Sequence, residues 1–122
     1  MKPHCLVIED DSTLQAVYRF ILQRMQFDLT FAKDGKEALD ILSRLTPHLV
    51  FLDIRLPYIS GLEVLQHMRT DGRFRHTRIV ITSSLNDYDG SLQNEEFILK
   101  PMQPTEITRI ANEIRESVLH LA

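Results

Sequence analysis

Five side chains in this sequence are of types that can handle a phosphoryl group: Glu9, Asp10, Asp53, Ser83 and Lys100. Each follows an apolar run. Residues 49–52 (LVFL) stop at Asp53, residues 5–8 (CLVI) stop at Glu9-Asp10, residues 79–81 (IVI) lead to Thr82-Ser83, and residues 97–99 (FIL) stop at Lys100. Three carboxylates gathered in one place repel one another, a condition relieved by a cation or by protonation of one of them. Magnesium suits such a site, because it prefers oxygen ligands, keeps several waters, and takes one or two carboxylates together with phosphate oxygens. Three carboxylates and one ammonium sum to −2, which a divalent ion cancels. Asp53, ionised at neutral pH, can then attack phosphorus and form an acyl phosphate. The metal and Lys100 would neutralise charge on the equatorial oxygens of the transition state. The Ser83 hydroxyl can donate to one phosphoryl oxygen.

Such a constellation needs a fold that brings distant residues to one rim. An unbroken apolar run reads as a strand buried on both faces of a parallel sheet, and in open parallel sheets ligands bind beyond the carboxyl ends of the strands. Residues 27–31 alternate instead, which predicts an edge strand. Helical spacing follows in Leu14, Val17, Tyr18, Ile21, Leu22 and Met25, with Ser12 as the expected cap. Asp34 with Glu37, and Ser60 with Glu63, read as capping boxes. Thr46-Pro47 stops the second helix and Asp71-Gly72 closes the third. Pro104 suits the first turn of the last helix. Strands alternating with helices imply right-handed crossovers, hence an α/β, flavodoxin-like, doubly wound sheet of five parallel strands in the order 2-1-3-4-5. Between Ser84 and Phe97 the crossover is near the minimum length and Asp89-Gly90 interrupts it, so a shortened or irregular fourth helix is expected there.

Composition sets the bounds. The chain has 122 residues, 43% hydrophobic and 25% charged, with a formal net charge of −3. That fits one globular domain and advertises no polybasic surface for nucleic acid or anionic lipid. The lone Cys5 reads as a buried thiol. No apolar segment reaches a membrane span and the N-terminus turns acidic early, so a cytoplasmic protein is expected. The five histidines lack metal-ligand spacing. Arg73, Arg75 and Arg78 read as a solvated loop, and the Arg55 side chain as exposed beside Asp53.

Taken together, LVIEDD, FLDIRLPYISG, IVITSS and FILKP resemble the receiver domain of two-component response regulators, in its stand-alone chemotaxis-type form, over essentially all of residues 1–122. The resemblance implies a single receiver domain that takes a phosphoryl group on Asp53 from a histidine kinase or a histidine phosphotransfer protein. It implies Mg2+ held by the side chains of Asp10 and Asp53 and the backbone carbonyl of Arg55, with Glu9 acting through water. Ser83 would be the switching hydroxyl, Lys100 the phosphoryl partner and Phe97 the aromatic switch. Output would be changed binding to a downstream protein, as a monomer or a phosphorylation-dependent dimer, with no direct contact to nucleic acid or membrane. The chain departs from the family in the short stretch between Ser83 and Lys100, and in Ser60 where an acid often precedes the glycine. The shortened stretch motivates the alternative of a pseudo-receiver, an interaction module that keeps the fold and signals without phosphate.

Overall fold

The computed structural model describes residues 2–84 and 95–121. The expected shortened helix falls mainly on residues 85–94, outside the described ones. Strands β1 (His4–Ile8), β2 (Asp28–Ala32), β3 (Leu49–Asp53), β4 (Arg78–Ser83) and β5 (Glu96–Leu99) form one parallel sheet in the order β2-β1-β3-β4-β5. Among the described residues, α1 (Ser12–Arg24), α2 (Gly35–Leu42), α3 (Gly61–Arg69) and α4 (Pro104–Leu121) cover its faces.

Alternation within the central strands splits the core in two. Leu6, Ile8, Val50, Leu52, Ile79 and Ile81 face α2 and α3, meeting Ala38, Leu42, Val64 and Met68. Cys5, Val7, Leu49, Phe51, Val80 and Ile98 face α1 and α4, meeting Tyr18, Leu22, Ile107, Ile110 and Ala111. The runs look continuous in sequence because both faces are covered. The two outer strands of the described sheet, β2 and β5, keep mostly half-exposed residues, and for β2 the alternation predicts it.

The helix starts show where side-chain chemistry decides. Asp11, not Ser12, caps α1: its Oδ1 accepts from the amides of Thr13 and Leu14 at 2.8 and 3.0 Å. A carboxylate one residue earlier offers a stronger, charge-assisted acceptor. Asp34 caps α2 as expected, accepting from Glu37 N, but Glu37 reaches back to the amide of Lys33. Ser60 caps α3.

Two arginines assigned to a solvated loop are structural. Arg73 lies over the ring of Phe74, which is 1% exposed in a 3-10 turn (Gly72–Phe74). Its guanidinium donates to the carbonyls of Leu42 and Ser43, closing the C-terminus of α2, whose last carbonyls lack helical partners. Arg78 opens β4 and pairs with Glu96 and Glu113. Arg75 is exposed, as expected.

At the rim where the strands begin, histidine and threonine contacts also hold the sheet. His48 Nδ1 accepts from His4 N at 2.9 Å, His4 Nε2 meets Thr30 Oγ1 at 2.7 Å, and Thr77 Oγ1 donates to Pro47 O at 2.7 Å.

Candidate functional site

The opposite rim gathers three acids and a lysine. Parallel pairing brings the ends of β1, β3, β4 and β5 level: Asp53 pairs with Thr82, Ile54 N donates to Thr82 O, and Lys100 N donates to Ser83 O at 2.8 Å. One carboxylate oxygen from each of Glu9, Asp10 and Asp53 falls within 4.8 Å of the others. Lys100 Nζ lies 2.9 Å from Asp53 Oδ2 and 3.2 Å from Glu9 Oε1. The Lys100–Pro101 peptide is cis.

Asp53 and Glu9 are held by backbone as well. Asp53 Oδ1 accepts from Arg55 N at 3.1 Å, and Glu9 Oε2 from Asp11 N at 3.1 Å. Gln15, one turn into α1, donates its side-chain amide to the carbonyl of Glu9 at 2.6 Å. No spacing in the sequence marks Gln15 for this role, because a glutamine on a solvated helix face is ordinary.

Glycine fixes the floor. A Cβ on Gly61 would stand 2.1 Å from Asp53 O and 2.7 Å from Ile54 Cα. The start of α3 therefore rests directly on the backbone of Asp53, and Gly61 N donates to Ile54 O at 2.9 Å. Gly35 makes the same close approach to Ile59. The loop between β3 and α3 is thus clamped from both sides. Its tip, Tyr58, takes a positive φ of 67° and is 86% exposed.

Burial and like charge decide the electrostatics. Glu9 is nearly inaccessible, and desolvation together with the charge of Asp53 pushes its carboxyl up to about 7, against the Asp11 amide and Lys100. For Lys100, burial works to lower the pKa, but its bonds to Asp53 and Glu9 prevail and it is raised. The ammonium is therefore firmly charged while Glu9 sits near its titration point. A hard cation among the three carboxylates is the arrangement that relieves this repulsion, so the residues present fit a divalent ion.

The cleft over these groups encloses about 290 Å³ and is lined by Glu9, Asp10, Asp11, Leu14, Asp53, Arg55, Ser84 and Lys100. A larger apolar hollow of about 460 Å³ adjoins it between α1 and the β5–α4 connection, but Asp53 does not line it. Ser84, not Ser83, appears in the cleft wall. Ser83 is fully buried and its Oγ donates to Ser84 O at 2.9 Å. Ser83 is the hydroxyl to which the strand end and the resemblance point, and it closes β4. Phe97 is half-buried and packs on the core that faces α2 and α3. Glu9, Asp10, Asp53 and Lys100 are thus brought together, Arg55 stands at the rim, and Ser83 and Phe97 lie behind it.

The model of the response regulator receiver domain matches residues 5–112. The two-component response regulator ORR5 of Oryza sativa subsp. japonica is 32% identical over 118 residues, covering 92% of this chain and 88% of that protein. Among solved structures, the signal receiver domain of a putative Luxo repressor protein from Vibrio parahaemolyticus superposes with a TM-score of 0.83 at 24% identity, covering 98% of this chain and 95% of that one. The receiver domain of the sensor histidine kinase PA1611 from Pseudomonas aeruginosa PAO1 gives a TM-score of 0.79 at 20% identity, with coverage of 93% and 97%, and holds a magnesium ion in its active-site cleft.

Proposed function

This chain belongs to the response regulator receiver domain family, and from that premise we propose that a phosphoryl group carried on Asp53 switches it. The donor is a phosphohistidine of a histidine kinase or a histidine phosphotransfer protein. An Asp53 carboxylate oxygen attacks phosphorus, the phosphorus–nitrogen bond to the donor breaks, and its electron pair stays on the imidazole, which takes a proton from water. The product is a mixed anhydride on Asp53.

Asp10 and Asp53 through their side chains, Arg55 through its backbone carbonyl and Glu9 through water would hold Mg2+. When bound, the ion supplies positive charge against the oxygens of the group in transfer. Lys100 already touches Asp53 and turns from that carboxylate to a phosphoryl oxygen. Ser83 releases the carbonyl of Ser84 and donates to another oxygen, and Phe97 moves into the space the hydroxyl leaves. The altered surface changes affinity for a downstream protein or for a second copy, with residues 1–122 acting as one domain. Among the described residues no helix is long and apolar enough to cross a membrane.

The observation that carries this reading is the convergence of Glu9, Asp10 and Asp53 within 4.8 Å, with Lys100 Nζ 2.9 Å from Asp53. Incubation with acetyl phosphate and Mg2+ tests it by intact mass. The expected result is one added phosphoryl group that does not form in EDTA and is absent in Asp53→Asn. A phosphate-independent interaction module is the second reading, favoured by the Ser83 hydroxyl being engaged with backbone. It prevails if no adduct forms and no beryllofluoride complex is seen.

A further inference from the structure

Strand β5 has a weakly specified register, yet Lys100 depends on it. The strand is four residues long and pairs with β4 alone among the described strands. Only Ile98 in it is buried, and Leu99 is 44% exposed. Register is firmly set where a full face is buried and poorly set otherwise. A slip by one residue turns every side chain to the other face, and a slip by two carries Lys100 about 7 Å along the sheet.

A directional contact supplies what burial does not. Glu96 sits opposite Val80 in the ladder, and Arg78 lies two residues earlier on that same face of β4. The two side chains are diagonal neighbours, within reach for long residues. Arg78 Nε and Nη2 donate to the two carboxylate oxygens of Glu96 at 2.9 and 2.8 Å. This fork-to-fork geometry fixes direction as well as distance. The remaining Arg78 nitrogen, Nη1, reaches Glu113 of α4 at 2.7 Å, so the same guanidinium ties the strand to the helix that covers it. Arg69 of α3 holds the adjoining Glu95. The strand is thus strung between an arginine clasp at its start and Lys100, with its contacts to Asp53 and Glu9, at its end.

We infer that the Arg78 fork to Glu96 and Glu113 is a register pin: Arg78 is a positioning residue that acts on phosphoryl capture through Lys100. This rests on Lys100 being the phosphoryl partner of Asp53, as proposed above.

The test uses the full chain with Arg78→Met, Lys100→Met and both together. Phe74→Leu serves as a control for general loss of stability, since Phe74 packs on the α2 and α3 side, on the face of the sheet opposite the Arg78 side chain. Acetyl phosphate uptake with Mg2+ should fall about tenfold in Arg78→Met and show no further fall when that change is added to Lys100→Met. An equal fall in both backgrounds, or one matched by Phe74→Leu, overturns the inference. Amide hydrogen exchange gives a readout independent of phosphorylation. Arg78→Met should speed exchange at Ile98 and Lys100, whose amides face β4, while the amides of β1 and β3 keep theirs, whereas uniform acceleration overturns it. A wild-type chain that takes no phosphoryl group defeats the proposed function instead, and the exchange pattern then still decides whether the pin exists.

Discussion

Replacing Gly61 with alanine tests how tightly the start of α3 is built against Asp53. The new Cβ would stand 2.1 Å from Asp53 O, where ordinary contact begins at 3.4 Å, so the backbones must part by about 1.3 Å. Two effects compete. Alanine in a helix is favoured over glycine by up to about 1 kcal/mol. Overpacking a close contact costs about 1–3 kcal/mol, and here the atoms met are backbone, which cannot swing aside. The second effect wins, for a net loss of about 1–2 kcal/mol. For a domain of this size that is a fall in Tm of about 4–8 °C. Function should suffer more than stability, because the displaced group is the backbone of Asp53 itself. A shift near 1 Å at a reacting group can cost on the order of 100-fold in rate, and with part of the strain taken up by α3 a fall of about tenfold or more in Mg2+-dependent phosphorylation is expected. Gly72→Ala is the control, since nothing lies within 4 Å of its Cβ position, and it should change stability by no more than about 0.5 kcal/mol. Urea melts and acetyl phosphate kinetics on both variants decide the matter. Gly61→Ala melting with Gly72→Ala, and reacting at the wild-type rate, would refute the close approach.

Two further perturbations follow from the same structure. In metal-free buffer the Glu9 carboxyl, pushed up to about 7 from its usual 4.5, binds a proton in the folded state that the unfolded chain has lost. Stability should therefore fall as pH rises through that interval and level off above it. Urea melts in EDTA should show this slope, Glu9→Gln should flatten it, and Mg2+ should restore stability on the alkaline side. Tyr58 holds a left-handed φ of 67° with its side chain exposed, so Tyr58→Asn should gain about 0.5–1 kcal/mol. A neutral or negative change in the same melts would show that the tyrosine ring is held by contacts.

The fold was legible where burial makes long patterns. Unbroken runs at 5–8 and 49–52 marked doubly covered strands, alternation at 27–31 marked the edge, and punctuation by acids and Lys100 marked the rim. What escaped was short and directional. Asp11 displaced Ser12 as a cap because two neighbouring acceptors compete and geometry chooses. Phe74 hides in a run of basic and polar residues, so its burial has no periodicity to reveal it. Arg73 and Arg78 look like solvated charge until the carbonyls of α2 and the acids Glu96 and Glu113 are placed beside them. Around the site, the acids and Lys100 could be read from their positions at strand ends, but Gly61 and Gln15 act through backbone approach and a single amide, which residue type alone does not signal.

The histidine and threonine contacts at the far rim have a consequence of their own. His4, His48, Thr30 and Thr77 secure the strand starts with hydrogen bonds and Arg78 with Glu96 adds an ion pair there, while the acids and lysine of the site gather at the strand ends. Anchorage and reactivity thus occupy opposite poles of one short molecule, about five residues apart along β3. An anion deposited at one pole therefore acts first on the groups at that end of the strands, and the moorings at the other stay fast.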